Sequence, residues 1–217
     1  MASANATRPP TSSIDVVSAQ PEHLSGIVEC HMVAFPDELS TRLGRGYVRG
    51  LYRHFMEHPE GICLVAVEAK TGRVGGVVIG GRPDLRDRYV RRRIPYVFAC
   101  LVCRMFTSKY VWWRLFAAAR SALQKDRKVA GPQQRPASPQ PGNWARLRVI
   151  CTHPDFQRRG IGKMLMSAFR AACIRRGYEA VRLRVSRDNP AAAALYRSDG
   201  WESVGKDDMF LRFCRKL

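Results

Sequence analysis

The spacing of apolar residues changes from a strand period to a helix period between residues 151 and 161. Before the change, apolar side chains occupy alternate positions: Ala145, Leu147, Val149 and Cys151. After it, they recur every three or four residues: Ile161, Met164, Leu165, Ala168, Phe169, Ala172 and Cys173. The first pattern predicts a half-buried strand, and the second predicts an amphipathic helix that ends near Arg175–Gly177. A strand therefore leads into a helix through residues 152–160.

The same two periods predict the elements on either side. The predicted strands are 14–17, the hairpin 61–81 with its turn at 70–73, 181–185, 201–204 and 209–214. The predicted helices are 21–35, 47–58 and 189–199. Pro36 should end the first helix, so residues 35–44 are predicted as a connection. Residues 1–13 are predicted to be a disordered lead, and 14–217 a single domain.

Residues 82–143 separate the hairpin from the strand at 145–151. The segment begins with many arginines, continues as an apolar and aromatic stretch, and ends in a Pro/Gly-rich loop over 131–142. Such a length is unusual for a simple connection. We expect a helical insertion that folds over the core, as a lid on a substrate pocket. The alternative is a basic amphipathic element that binds membrane surfaces.

The charge is strongly basic, with 37 Lys and Arg against 18 Asp and Glu and a formal net charge of +19. This balance favours polyanionic partners such as nucleic acid, acidic lipid, an acidic protein or a phosphorylated molecule. A generally basic surface is the alternative. The N-terminus lacks the apolar core of a signal peptide, and the apolar run 94–105 is too short to span a bilayer. A cytoplasmic protein without a transmembrane segment is expected.

The cysteines indicate reduced thiols. They are odd in number, irregular in spacing and partly on apolar faces: Cys30, Cys63, Cys100, Cys103, Cys151, Cys173 and Cys214. This is not the pattern of a disulfide framework. Cys100 and Cys103 form a CxxC pair without a second Cys or His pair nearby. We therefore expect no metal site.

The turn between the strand and the helix contains the clearest ligand-binding motif. It reads Gln157-Arg158-Arg159-Gly160-Ile161-Gly162-Lys163. A helix N-terminus offers unpaired backbone N–H groups and the positive end of the helix dipole, a combination that binds pyrophosphate. Glycines let a ligand approach the backbone without a Cβ in the way.

A second motif, Asn189 to Trp201, follows the next predicted strand, and a His153-Pro154-Asp155-Phe156 run precedes the glycines. In this order the motifs resemble those of the GNAT superfamily of acyl-CoA-dependent N-acetyltransferases. The resemblance covers residues 144–214. It implies an α/β (α+β) fold, in which helices flank a mixed, twisted sheet. The helical insertion would then lie between the third and fourth strands.

The resemblance also implies which residues bind acetyl-CoA, the expected co-substrate. The pyrophosphate would lie on Gln157, Arg158, Arg159, Gly160, Ile161, Gly162 and Lys163. The pantetheine arm would meet the end of the fourth strand at Ile150, Cys151 and Thr152. Asn189 would hydrogen-bond the same arm, although Asn followed by Pro190 is equally typical of a plain helix N-cap.

Tyr196 is the candidate general acid. It lies two helical turns after Asn189, on the same side of the predicted helix. In the family the matching tyrosine lies near the thioester sulfur, and a phenol of pKa about 10 can protonate a departing thiolate. The alternative is a tyrosine that only packs against the sheet.

The acceptor side is less determined. The loop after the first helix often borders the acceptor site in this superfamily, which here suggests His31, Phe35, Asp37 and Glu38. Asp37, Glu38, His31 and His153 are candidate bases, and direct attack by an aligned amine needs none of them. Cys151 as an acylated nucleophile is a weaker hypothesis, because no histidine is paired with it in the sequence.

The predicted function is transfer of an acetyl group from acetyl-CoA to a primary amine of a small molecule, such as an amino sugar or amino acid derivative, or of a protein. Transfer would occur directly in a ternary complex. The basic surface favours an acidic or phosphorylated acceptor or partner. The alternative is a catalytically silent acyl-CoA-binding module, or a basic module associated with membranes or nucleic acid. The sequence does not distinguish a monomer from a dimer.

Overall fold

The computed structural model describes residues 13–96, 143–207 and 209–217. Its strands are β1 (Ile14–Ser18), β2 (Gly61–Glu68), β3 (Val74–Gly81), β4 (Trp144–Thr152), β5 (Ala180–Ser186), β6 (Glu202–Lys206) and β7 (Phe210–Lys216). Its helices are α1 (Leu24–Ala34), α2 (Leu39–Arg42), α3 (Arg45–Glu57), α4 (Leu85–Arg92), α5 (Ile161–Arg175) and α6 (Pro190–Ser198). Short 3₁₀ turns at Pro21–His23 and Pro154–Phe156 precede α1 and α5.

The described strands form one seven-stranded sheet in the order β1-β2-β3-β4-β5-β7-β6. Its strand pairs are antiparallel except β4 and β5, which run parallel. Parallel neighbours need a crossover connection, and α5 provides it between β4 and β5. The expected mixed sheet flanked by helices is confirmed.

The sheet is covered on both faces, which explains why β2 and β3 are apolar throughout. On β2, Ile62 and Leu64 pack into a core with α5 and α6, while Cys63 and Val65 pack into a second core with α1, α3 and α4. Strands buried on both faces lose the alternation of a half-exposed strand. The core that contains α5 continues through β5 and β7, where Phe213 is fully buried.

Glycines in β3 allow α5 to lie close to the sheet. A Cβ on Gly76 would lie 2.9 Å from Ile161 and 3.0 Å from Leu165, and one on Gly80 would lie 2.4 Å from the Phe169 ring. The three helical residues are four apart and share one face of α5, while Gly76 and Gly80 share one face of the strand. The side chains of Ile161, Leu165 and Phe169 therefore fill the space that side chains at positions 76 and 80 of β3 would need.

A β-bulge interrupts the alternation in β4. Ile79 pairs with Val149 and Gly80 pairs with Leu147, so Arg148 is the extra residue. Ala145 and Leu147 belong to the core that contains α5, whereas Val149 and Cys151 pack on the other side with α1 and α3. The prediction that all these apolar residues share one face was wrong, because one inserted residue moves the following side chains to the opposite face.

The connections differ from the predictions in one place and lie partly outside the described residues in another. Residues 35–44, expected to be a plain connection, contain the short helix α2. In the predicted insertion 82–143, α4 is helical, and residues 97–142 lie outside the described residues. The lid or membrane role of that segment stays a prediction. Within the described ranges, every helix falls short of the length or apolarity that crossing a bilayer requires.

Replacing Gly80 by alanine should destabilise the fold. Its Cβ would lie 2.4 Å from both the Arg146 carbonyl oxygen and the Phe169 ring, and such overpacking costs about 1–3 kcal/mol. Gly46→Ala in α3 is the matched control, because its Cβ would meet only the Tyr96 hydroxyl at 3.8 Å and alanine favours the helix. Urea unfolding measures both. Equal stability of the two variants would contradict the close fit of α5 on β3.

Candidate active site

The candidate site begins at a gap between the two parallel strands. Pairing of β4 with β5 extends only from Trp144–Arg146 to Ala180–Arg182. Beyond those residues β4 continues to Thr152, paired with β3, and β5 continues to Ser186, paired with β7. The facing edges therefore carry backbone N–H and C=O groups without a strand partner. An extended amide-containing ligand can complete such an edge.

The N-terminus of α5 lies directly after β4 and has an unusual backbone. Gly160, the N-cap, has a φ of +76°, and Arg158 has a φ of +61°. Left-handed conformation is expected for glycine but uncommon for arginine, and such residues cluster at ligand-binding turns. By position, the N–H groups of Ile161 and Gly162 have no intrahelical acceptor, and the neighbouring Gly160 and Lys163 are exposed.

The surroundings of this turn are open and positively charged. An added Cβ on Gly160 or Gly162 would meet nothing within 4 Å. Arg158 and Lys163 are exposed, and no carboxylate of the described residues lies within 4.0 Å of either. The helix dipole adds positive potential at the same place. The predicted loop 157–163 therefore has both the space and the charge that a pyrophosphate requires.

The side chain of Phe156, at the end of the 3₁₀ turn, lies next to the 157–163 loop. It is buried, and the guanidinium groups of Arg73 and Arg159 lie 5.2 and 5.0 Å from its ring centre. Arg159 also lies 3.7 Å from Glu68. Its side chain therefore contacts both Phe156 and Glu68 and helps to hold the loop in place. The His153 ring accepts a hydrogen bond from the Asp155 N–H at 3.3 Å, which caps the 3₁₀ turn. The Nδ1 atom of His153 is therefore already used to cap the 3₁₀ turn.

At the end of β4, Ile150, Cys151 and Thr152 pair with Val78, Val77 and Gly76 of β3. Their other backbone edge faces the gap, as the predicted contact with pantetheine needs. The Cys151 side chain lies in the core with α1 and α3, 3.7 Å from the Cys30 sulfur. A hydrogen bond with Cys30 and burial raise the pKa of the Cys151 thiol well above its ordinary value. A thiol that stays protonated is a poor nucleophile.

Asn189 and Tyr196 both lie on α6, which starts where β5 ends. The Asn189 side-chain oxygen accepts a hydrogen bond from the Ala192 N–H at 2.9 Å, so the N-cap role is present. Its amide nitrogen stays available to a ligand. The Tyr196 ring packs 5.6 Å from Trp201 and 6.0 Å from Phe213. The packing alternative for Tyr196 is thus also realised, and it holds the ring in place.

The Tyr196 hydroxyl is chemically distinct from its ring. The hydroxyl makes no hydrogen bond to a described side chain or backbone group, although the residue is only 6% exposed. Burial raises the pKa of Tyr196 to about 12. The hydroxyl is therefore protonated throughout the neutral range and can donate a proton but not accept one. A thiolate that forms in the same apolar surroundings has its own pKa raised by the same effect, which reduces the mismatch between the two.

The predicted acceptor residues lie at or just after the C-terminal end of α1, and they differ in burial. His31 is buried, with Nδ1 2.9 Å from the Tyr52 hydroxyl and Nε2 3.0 Å from the Ser40 hydroxyl. Both ring nitrogens thus have protein partners, and burial lowers the pKa of His31 to about 4. Phe35 packs on the His31 ring at 5.2 Å. Only the exposed Asp37 and Glu38 remain open to solvent, with Asp37 3.1 Å from Arg42.

Asp199, which the sequence motifs did not single out, fixes the position of α6. Its carboxylate lies 2.6 Å from Arg170 of α5, 3.1 Å from the Trp201 indole nitrogen and 3.1 Å from Arg215 of β7. Three elements thus meet at one partly buried carboxylate at the end of the helix that carries Tyr196. No spacing rule in the sequence connects these residues, because the contacts are made in the folded chain.

The part of the chain that includes β4, β5, the N-terminus of α5 and Tyr196 matches a known family. The model of the acetyltransferase (GNAT) family matches residues 27–201. This chain belongs to that family. GNAT enzymes use acetyl-CoA as the acetyl donor, and the resemblance drawn from the sequence motifs is confirmed.

Solved structures support the GNAT fold. One is the PaiA N-acetyltransferase of Thermoplasma acidophilum in complex with coenzyme A, with a TM-score of 0.58 and 13% identity over 94% of this chain and 99% of that one. Another is the ribosomal-protein-S18-alanine N-acetyltransferase of Escherichia coli, with a TM-score of 0.56 and 13% identity over 94% of each chain. Identities this low establish the fold alone.

A curated relative is similar over a shorter stretch. The [ribosomal protein bS18]-alanine N-acetyltransferase of Salmonella typhimurium is 44% identical over 60 residues. The aligned stretch covers 28% of this chain and 40% of the relative. It is a local similarity to one part of that enzyme.

Gly162→Asp should abolish the rise in melting temperature that coenzyme A causes. A carboxylate in the first turn of α5 would repel the pyrophosphate, while the free protein should keep its stability, because the site is open and the helix dipole favours an acid there. Gly162→Ala is the control for size without charge. The comparison is made by thermal unfolding with and without millimolar coenzyme A. An unchanged shift in Gly162→Asp would remove this turn from the binding site.

His31 should make the fold acid-sensitive between pH 6.5 and 4. Its pKa is about 4 in the folded protein and about 6.5 when unfolded. The unfolded chain therefore binds a proton first as the pH falls, and stability decreases by about 3 kcal/mol across this range.

The test measures unfolding free energy against pH in wild type and His31→Gln. The variant should be less stable at pH 7, because it loses contacts with Tyr52 and Ser40, but its pH profile should be flatter. Parallel profiles for wild type and His31→Gln would show that His31 is not held neutral.

Proposed function

We propose that the protein transfers an acetyl group from acetyl-CoA to a primary amine, by direct attack within a ternary complex. The observation that carries the proposal is the gap between β4 and β5, with the open N-terminus of α5 at one strand and Tyr196 after the other. The acceptor is a small molecule or a protein amine. The local similarity to an enzyme named for ribosomal protein bS18 alanine favours an α-amine among these.

In this proposal the two parts of the coenzyme bind to two different features. The pyrophosphate lies on the backbone N–H groups at the start of α5, with Arg158 and Lys163 adding charge. The pantetheine arm lies along the unpaired edges of β4 and β5 and pairs with residues 150–152. An N–H of β4 beside the gap would polarise the thioester carbonyl, because a fixed dipole in a water-poor site stabilises a developing oxyanion.

Proton transfer then completes the reaction. The amine nitrogen forms a bond to the acyl carbon as the carbon–sulfur bond breaks, and the Tyr196 hydroxyl gives its proton to the departing sulfur. The amine nitrogen loses one proton to water, and a proton from water restores the Tyr196 hydroxyl. The attacking amine must be neutral. An α-amine has a pKa of about 8, so a useful fraction is neutral at physiological pH without a strong base. Alignment in the gap supplies much of the remaining rate enhancement.

A silent acyl-CoA-binding module is the second candidate. The N-cap role of Asn189 and the packing of the Tyr196 ring are as compatible with a binding module as with an enzyme. It differs in what the Tyr196 hydroxyl does, because a structural tyrosine at this position needs only its ring. Release of free thiol from acetyl-CoA in the presence of an amine panel separates the two functions: the enzyme releases thiol with at least one amine, and the module binds acetyl-CoA without turnover.

Tyr196→Phe should lower kcat by roughly 10²–10⁴-fold, the usual contribution of a positioned general acid. Coenzyme A affinity and melting temperature should change little, since the hydroxyl has no hydrogen bond to a described residue to lose. Steady-state thiol release and a thermal shift measure the two properties. Tyr178→Phe at the opposite end of β5 is the control. Full turnover in Tyr196→Phe would assign the tyrosine a packing role only.

A further inference from the structure

One face of the sheet beside the gap is lined with arginines. This arginine face consists of Arg146, Arg148, Arg182, Arg184 and Arg212. It is the face opposite α5 and α6, because the residues that alternate with these arginines, Leu147, Leu183 and Phe213, are buried in the core with those helices. Arg146 lies directly across from Arg182, and Arg184 directly across from Arg212. Like charges in directly opposed positions repel each other.

The neighbouring groups offset this repulsion only in part. Trp144 lies between two of the arginines, with Arg182 4.4 Å and Arg146 5.3 Å from its ring centre. Asp87 lies 3.8 Å from Arg148, and Asp207 lies 3.0 Å from Arg212. Among the described residues, no carboxylate lies within 4.0 Å of Arg146 or Arg184.

The ionisation of these side chains agrees with an excess of positive charge. Burial, with the nearby guanidinium groups of Arg146, Arg86 and Arg184, lowers the pKa of Arg148 to about 10. Burial and the neighbouring arginines also lower the pKa of Arg146. All remain cationic at neutral pH, but at a cost that an added anion would remove.

The residues outside the described ranges contain few carboxylates that could neutralise the arginine face. Residues 97–142 contain eight Lys and Arg residues, and their one acidic residue is Asp126. Residues 1–12 contain no acidic residue. Asp208 follows Asp207 directly in the sequence and is the remaining acid outside the described ranges. An external anion is therefore the available source of compensation.

The arginine face adjoins the place where the amine must arrive. β4 and β5 separate after Arg146 and Arg182, so Arg148 and Arg184 stand on the two sides of the gap. Because α5 and α6 cover the other face, an acceptor reaches a thioester in the gap from the arginine side. Arg148 donates a hydrogen bond to the Pro83 carbonyl at 2.8 Å, whereas Arg184 is exposed. Arg184 and Arg146 are thus the best placed to bind a ligand.

We propose that this face is the acceptor site's anion-binding half, so that the preferred acceptor carries a carboxylate or phosphate group beside its amine. The proposal rests on the proposed acetyltransferase function and adds the substrate class. Guanidinium groups bind both anions through paired hydrogen bonds. The arginine face then sets acceptor specificity, while coenzyme binding is left to the opposite side of the sheet.

The test compares matched acceptors that differ in charge. Thiol release from acetyl-CoA is measured with O-phosphoethanolamine and ethanolamine, and with alanine and alaninamide, at low and high salt. Wild type should show at least a tenfold higher kcat/KM for the anionic member of one pair, and that preference should weaken with salt. The pair that shows it identifies phosphate or carboxylate as the preferred group.

Variants assign the preference to the arginines. Arg184→Gln and Arg184→Gln/Arg146→Gln should raise KM for the anionic acceptor by roughly ten- to a hundredfold, the usual worth of a charge-assisted hydrogen bond. The KM values for acetyl-CoA and for the neutral acceptor should not change. Arg175→Gln, on α5 across the sheet, is the control. Equal use of both members of each pair by wild type, or an equal loss for both in Arg184→Gln, would overturn the proposal.

Failure of the acetyltransferase function gives a different result. In that case no amine releases thiol, and equilibrium binding of O-phosphoethanolamine and alanine replaces the kinetic measurement. Binding that is lost in Arg184→Gln would support the anion site without an acetyl transfer. Absence of binding to wild type would refute the anion site as well.

Discussion

The close approach of α5 to β3 is the contact on which the candidate site depends. Ile161, Leu165 and Phe169 lie against Gly76 and Gly80, where any Cβ would clash. Glycine weakens an isolated strand, because it adds no packing and loses more backbone entropy than other residues on folding. In β3 the helix replaces the missing side chains. The start of α5 is thereby held at the end of β4, next to the buried Phe156 and the guanidinium groups of Arg73 and Arg159 over its ring.

The bulge in β4 and the divergence of β4 from β5 together produce the gap. An extra residue increases local twist and bends a strand, and here it lies just beyond the last paired residues of β4 and β5. The bulge also changes which side chains face which core. Cys151 is directed to the α1 and α3 side, where its thiol stays protonated, and the backbone of β4 is the part left to face the gap. The groups of β4 that can interact with a ligand in the gap are thus its main-chain N–H and C=O groups.

Electrostatics divides the sheet into two sides. The α5 side offers helix N-terminal N–H groups, two exposed cations and a tyrosine whose pKa is raised by burial. The opposite side carries the arginine face, where burial lowers the pKa of Arg146 and Arg148, and where no carboxylate of the described residues lies within 4.0 Å of Arg146 or Arg184. Cations this close are retained at a cost in stability, which a ligand anion would relieve. Part of the high net charge seen in composition is therefore located on this face.

The sequence by itself determined most of the elements and the family, and it predicted the coenzyme turn. Local signals sufficed there: the strand and helix periods, Pro and Gly at helix ends, and two motifs separated by one strand. It left the short helix α2 unseen and placed Val149 and Cys151 on the wrong face, because a bulge arises from pairing with β3 and leaves no mark on hydrophobic periodicity. It nominated His31 for the acceptor site, while contacts with Ser40 of α2 and Tyr52 of α3 place the ring in the core. The arginines were visible as alternating residues in three predicted strands. Only the tertiary structure brought those strands together on one face beside the gap, because side chains far apart in the chain become neighbours through strand pairing alone.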